Sequence, residues 1–226
     1  MRIYAHRGSS GIEPENTPRA FQRAIRDGAH GVEFDVRASA DGVPVVIHDR
    51  DLLRTANGTG FVDALSLKEL QRLDAGNGER IPTLAEVLTL LAGRLHLDIE
   101  IKQPGIEREI LAVLDHYPDA KWALSSFHWS ILRAFRERCA TAALWPLTIN
   151  ITEEAIAMAL ELGSPVIALN AGALNADASS WLAQSGLKAV VWTVNDVPTA
   201  RAMQVAGAIG LCTDYPAAIL HGLQDA

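Results

Sequence analysis

Nine short apolar runs of strand character alternate with segments of helical spacing along the whole chain, and this alternation limits the fold more than any other feature. The runs cover residues 2–6, 31–36, 44–48, 95–102, 121–126, 143–148, 165–169, 188–195 and 208–213. Helical spacing fills 83–91, 105–116, 130–138, 153–162, 179–185 and 198–205. Thr17-Pro18 reads as a cap with proline in the first turn, opening a helix to Asp27. Ser66 and Glu69 form a capping box ahead of Leu67, Leu70 and Leu73. Regular β–α alternation predicts a parallel sheet with helices outside. Nine runs in 226 residues fit a (β/α)8 TIM barrel. An open doubly wound sheet is the competing layout. It lacks its dinucleotide fingerprint, because Gly8-Ser9-Ser10-Gly11 does not carry the full glycine spacing. No Pro-, Gly- or Ser-rich linker divides the chain and no internal repeat is visible. The reading is one α/β domain over residues 1–226, with 49% hydrophobic residues to fill its core.

Two places break the alternation. Residues 50–82 carry Asn57-Gly58-Thr59-Gly60 and Asn77-Gly78, in a stretch longer than an ordinary βα connection. In a barrel it becomes an insertion after the third strand, over the mouth. The other break, residues 37–43, is too short for a helix. Asp41-Gly42 suggests a hairpin, but a tight hairpin is expected to carry His48 to the far end of the sheet from Asp35. An extended crossover of about 20 Å is within reach of six residues. The expectation is therefore a barrel without a helix between its second and third strands, linked by such a crossover.

The net charge of −7, without a basic block, argues against a nucleic-acid partner or stable association with an anionic membrane. Cys139 and Cys212 form neither a disulfide framework nor a zinc signature and read as small buried hydrophobes. Strand-like sequence starts at Ile3, and no apolar run is long enough to span a bilayer, so the expected location is the cytoplasm.

Ionisable residues embedded in apolar strands are costly to bury, and these strands carry several at their ends. Side chains two apart on a strand share a face. Glu33 and Asp35 then point together, away from Val32, Phe34 and Val36, while Asp98, Glu100 and Lys102 point away from Leu97, Ile99 and Ile101. In a barrel these inward positions line the catalytic mouth. Three carboxylates converging there repel unless a cation holds them, and oxygen ligands select Mg2+ or Ca2+ over zinc. His6 and His48, also at strand ends, suit general acid–base work. His30, His96, His116, His128 and His221 lack that setting and read as structural or surface residues. Arg7 and Lys102 add fixed positive charge, which with a cation describes a phosphate site, and Gly8 offers close backbone approach.

The set His6-Arg7-Gly8, Glu15-Asn16-Thr17, Glu33-Phe34-Asp35, His48-Asp49, Glu100-Ile101-Lys102, Trp192-Thr193-Val194-Asn195 and Thr213-Asp214-Tyr215-Pro216 resembles the glycerophosphodiester phosphodiesterases, in the family's order over nearly the whole chain. The resemblance implies a TIM barrel that hydrolyses small glycerophosphodiesters to glycerol 3-phosphate and an alcohol. It implies a divalent cation on Glu33, Asp35 and Glu100, with His6 and His48 as the acid–base pair. It places Arg7 and Lys102 on the phosphate, Glu15 in support of them, and Trp192 with Phe127 beside the substrate. Which histidine is acid, which cation binds, and the oligomeric state are left open. Ile209-Gly210 stands where members usually carry Asp-Gly, and Cys212 where an aliphatic residue is usual. The rival readings are a phospholipase D-like or lysophospholipid-cleaving enzyme, and a non-catalytic barrel that binds phosphate esters. A zinc amidohydrolase fits poorly, since Arg7-Gly8 follows His6 where His-x-His is required.

Overall fold

The structure is a computed structural model and describes residues 1–224. Its strands are β1 (Arg2–His6), β2 (Gly31–Ala38), β3 (Pro44–Val46), β4 (His96–Ile101), β5 (Lys121–Ser126), β6 (Leu144–Thr148), β7 (Val166–Asn170), β8 (Lys188–Trp192) and β9 (Gly210–Thr213). The helices are α1 (Pro18–Arg26), α2 (Leu67–Leu70), α3 (Leu84–Leu91), α4 (Glu107–Leu114), α5 (Trp129–Arg138), α6 (Glu153–Glu161), α7 (Ala176–Gln184), α8 (Val197–Val205) and α9 (Pro216–Gln224). Every strand except β3 pairs in parallel with its neighbours in the order β1-β9-β8-β7-β6-β5-β4-β2, and β1–β2 pairing closes the ring. The result is the closed eight-stranded parallel barrel expected from the alternation.

Pleating sorts the side chains as predicted. Val32, Phe34, Val36, Leu97, Ile99 and Ile101 face outward and pack against helical residues such as Phe21, Leu88, Ile110 and Phe135. Inside the ring a smaller cluster of Tyr4, Ala123, Trp145, Val166, Val190 and Cys212 fills the end where the strands begin. The carboxylates and histidines lie above it, where the strands end.

No helix separates β2 from β3, but the expected crossover is wrong. The segment is a hairpin: Val36 pairs with Val46, and Ala38 with Pro44, in antiparallel register. β2 runs past the end of β1, and β3 descends beside that overhang for only three residues. Ile47 N–H then donates to the Asp35 carbonyl at 3.0 Å, so His48 stops at the mouth. A hairpin carries a residue to the far end of a sheet only when its return strand is as long as its outgoing one.

Residues 50–82 have a small core of their own, in which Leu52, Val62, Leu70 and Ile81 bury themselves against Val45 and Ile47 of the hairpin. Two helices differ from expectation. α7 starts three residues before Ser179, where the Asn175 side chain accepts from Ala178 N–H at 2.9 Å. α9 was not predicted. Its buried face shows only Pro216 and Ile219, too short a stripe to stand out.

Candidate active site

β1 and β2 meet in register at His6 and Glu33, and β2 and β4 at Asp35 and Glu100. Barrel closure thus brings residues from three strands to one level. Ligand oxygens of Glu33, Asp35 and Glu100 lie within 4.8 Å of one another. Glu33 and Asp35 are buried, and Asp35 is wholly shielded from solvent.

Two cations hold Asp35. Lys102 Nζ is 3.2 Å from Oδ1 and Arg7 Nε is 3.4 Å from Oδ2, while Asn16 Nδ2 donates to Oδ2 at 2.8 Å. Burial alone pushes the Asp35 carboxyl up, but Lys102 and Arg7 outweigh it and hold it below its ordinary range. Glu33 goes the other way. Burial, then the charges of Asp35 and Glu100, push it well above the usual carboxylate range. Glu100 rises for the same reasons, burial first and Asp35 second, although Lys102 Nζ donates to it at 2.6 Å. The cluster thus carries more negative charge than its two cations compensate. Asp35 Oδ1 accepts no hydrogen bond although buried. Oxygen-only donors, crowded carboxylates and an acceptor with spare capacity fit a hard divalent cation.

Below the cluster, Asp98 accepts from Ser125 Oγ at 2.6 Å, and burial pushes its carboxyl up to about 7.

Each histidine has its own carboxylate. His6 Nδ1 is 2.7 Å from Asp214 Oδ1, which leaves Nε2 on the Glu33 side, 3.9 Å from Oε2. Ser10 Oγ donates to Asp214 Oδ1 at 2.8 Å and Asn195 Nδ2 to Oδ2 at 2.6 Å. Burial raises the Asp214 carboxyl, but His6 and these two donors outweigh it and bring it down to about 2. His48 Nδ1 is 2.6 Å from Asp49 Oδ1. Burial lowers the His48 pKa, Asp35 opposes it, and Lys102 adds to the lowering. Asp49 differs from Asp214 in having a cation, since Arg54 of the insertion donates Nε to its Oδ2 at 2.6 Å. Arg54 Nη1 also donates to Glu15 Oε2 at 2.6 Å, and Glu15 Oε1 accepts from Arg7 Nη1 at 2.8 Å. The insertion therefore braces both Asp49 and Arg7.

The backbone around Arg7 is unusual. Arg7 has φ 56° and Asn16 φ 59°, left-handed conformations that cost non-glycine residues about 1–3 kcal/mol each. Arg7 N–H donates to Glu33, and Asn16 N–H donates to the Arg7 carbonyl at 2.9 Å. This bend turns the Arg7 guanidinium back over Asp35. Gly8, at φ 80°, serves a different contact from the expected one. A Cβ there would sit 2.7 Å from the Ala20 backbone, so the close approach is to α1 and not to the mouth.

One cavity of about 160 Å3 joins these parts. His6, Arg7, Glu33, His48, Glu100 and Lys102 form its charged wall, and Phe127, Leu147, Trp192 and Cys212 its apolar side. Phe127 and Trp192 meet edge to face at 5.4 Å. Of the expected site residues, Glu15 stands outside this lining, behind Arg7, and Asp35 lies beneath its surface. Sequence reasoning assigned no role to Asp214, Asn195, Asn16, Asp49 or Arg54. The first four belong to the motifs quoted above; Arg54 has no local signal.

Residues 6–218 match the model of the glycerophosphoryl diester phosphodiesterase family. The chain is 36% identical to the YhdW protein of Bacillus subtilis, covering 96% of this chain and 95% of that one. It is 35% identical to a glycerophosphodiester phosphodiesterase of Caldanaerobacter subterraneus, over 97% of this chain and 96% of the other. Among solved structures it superposes on an Oleispira antarctica phosphodiesterase in complex with the product sn-glycerol-3-phosphate. That match has TM-score 0.94 and 29% identity, over 99% of this chain and 97% of the other.

Proposed function

The chain belongs to the glycerophosphoryl diester phosphodiesterase family and hydrolyses glycerophosphodiesters, and from that premise we propose which residues perform the reaction. His6 and His48 carry the two proton transfers, Arg7 and Lys102 grip the phosphate, and Glu33, Asp35 and Glu100 hold a divalent cation. The observation that carries this reading is one cavity wall shared by two carboxylate-anchored histidines and a carboxylate cluster crossed by two cations.

When bound, Mg2+ or Ca2+ supplies positive charge against the phosphate oxygens as negative charge builds in the transition state. The chain's own residues do the rest. Arg7 presents its guanidinium to a non-bridging oxygen, already oriented by Glu15 and by its left-handed backbone. Lys102 adds a second fixed charge. One histidine takes a proton from the nucleophile and the other gives one to the departing alcohol oxygen. Asp214 and Asp49 hold the two rings at Nδ1, which leaves each Nε2 for that exchange. Phe127 and Trp192 line the apolar side and exclude water from one flank of the substrate.

Barrel and insertion act as one unit in this reading, which the bracing of Asp49 and Glu15 by Arg54 supports. A cytoplasmic location is part of it. No helix among the described residues is long and apolar enough to cross a membrane.

The test is release of glycerol 3-phosphate from glycerophosphocholine with EDTA, Mg2+ or Ca2+ present. The expected outcome is release that EDTA abolishes and that one of the two cations restores. Full turnover in EDTA rejects the metal assignment, and turnover of lysolipid micelles in preference to the soluble diester favours the lipid-cleaving alternative.

A further inference from the structure

The end of the barrel remote from the mouth opens into a second, larger cavity of about 630 Å3. Arg2 at the start of β1, Arg94 ahead of β4 and Lys121 at the start of β5 line it, together with His30 and Asp119. Across β4 and β5 the register sets His96, which also lines the cavity, beside Lys121. The function proposed above uses none of these residues.

What sets this place apart is that three cations without ion pairs among the described residues line one cavity. Elsewhere single exposed cations such as Arg26 and Arg72 also stand without such a pair, but other exposed arginines sit against carboxylates: Arg50 with Asp63, Arg80 with Glu86, Arg108 with Glu109 and Arg133 with Glu161. In a chain of net charge −7 that is the expected pattern. Arg2, Arg94 and Lys121 form no ion pair among the described residues, and Asp119 is the one acidic residue in the lining. Gathering unpaired cations costs mutual repulsion, which an anion relieves.

His30 completes the donor set. Ile3 N–H donates to its Nδ1 at 3.0 Å. A ring that accepts at Nδ1 carries its proton at Nε2, so His30 offers a donor and no acceptor there. Two guanidinium forks, one ammonium and one imidazole N–H match a tetrahedral oxyanion better than a planar carboxylate, whose two oxygens one arginine already satisfies. The field of these cations extends into the barrel floor. Burial first, then Arg2 and Lys121, push the neighbouring His96 down to about 4.

We propose that this cavity at the N-terminal end of the barrel is a second anion site, built by Arg2, Arg94, Lys121 and His30 to bind a phosphate group. A soluble phosphate ester and a phospholipid headgroup present the same group, and the test separates them.

Inorganic phosphate is titrated by calorimetry into the intact protein and into the double variant Arg94→Gln/Lys121→Gln, at constant ionic strength set with NaCl. Phosphate binding at the mouth is common to both proteins and cancels. The expected result is a binding phase in the wild type that weakens at least about tenfold in the variant, since each lost cation removes a charge-assisted hydrogen bond, while diester turnover stays within about twofold. A control variant of two cations elsewhere, Lys68→Gln/Arg72→Gln, should leave that phase unchanged. In parallel, the protein is sedimented with phosphatidylglycerol vesicles. Sedimentation lost in the double variant, without a phosphate phase, assigns the site to a lipid headgroup. Where the double variant does not fold, phosphate-induced amide shifts in the wild type replace it, expected at residues 93–96 and 119–121. Equal isotherms with equal sedimentation, or shifts confined to the mouth, overturn the proposal.

Discussion

The two ends of the barrel interior are built from the same strands yet do opposite things. β1 contributes Tyr4 to the floor and His6 to the mouth, and β4 contributes His96 to the floor and Glu100 to the mouth. At the floor the polar atoms are turned on one another. His96 stacks on Trp145 at 5.6 Å, with planes 7° apart, and Tyr4 meets both rings edge-on. Burial pushes the Tyr4 hydroxyl up to about 12 and His96 down to about 4, so both stay neutral near pH 7. At the mouth the histidines face carboxylates and the carboxylates face cations. A histidine at an inward strand position thus becomes packing or chemistry according to the charge beside it. Strand alternation puts it inside; depth along the strand decides its partners.

Four changes would break or sharpen this division. The largest effect is expected at the floor. Trp145→Ala removes the ring that Tyr4 and His96 pack against and should destabilise the fold by about 3–5 kcal/mol. Denaturant unfolding measures it, and turnover per folded molecule should stay near that of the wild type. A comparable loss of turnover in the folded fraction would show that the floor shapes the mouth.

At the mouth, His6→Ala or His48→Ala should lower turnover by at least about 100-fold, or about 2.7 kcal/mol in activation free energy. The melting temperature should move little, because both rings are partly exposed. Near-wild-type turnover in both variants would remove the acid–base assignment.

Asp214→Asn is a smaller intervention on the same side. It keeps the hydrogen bond to His6 Nδ1 in one amide orientation but removes the negative charge, and we expect about a tenfold fall in kcat. The pH profile of kcat should also shift, which a merely structural role would not produce. An unchanged profile would mean that Asp214 only packs.

The smallest effect concerns His96. Its pKa of about 4 in the folded protein lies below the ordinary value of about 6.5. Between these values the unfolded chain binds a proton that the folded chain refuses, so stability is full above pH 6.5 and declines as pH falls toward 4. His96→Phe keeps the stack on Trp145 and cannot titrate. The melting-temperature advantage of wild type over this variant should therefore shrink from pH 7 to pH 4, while the other buried groups cancel between the two. An advantage that grows on acidification contradicts a half-buried, neutral His96.

Much of the molecule is determined by the sequence alone, because it depends on local period. The alternation of strands and helices, the outward set Val32, Phe34 and Val36, and the inward pairs Glu33 with Asp35 and Glu100 with Lys102 follow from pleating. Pleating acts within a few residues and needs no knowledge of the partner strand. Tertiary structure alone decided the rest. Whether His48 returns to the mouth depended on how far β2 overhangs β1, which is a matter of barrel stagger. The contact of Asp214 with His6 spans 208 residues and exists only because β9 closes against β1. Arg54 reaches Glu15 because the insertion folds on its own small core. In each case the partner is chosen by ring closure and packing, which bring together residues with no spacing relation along the chain.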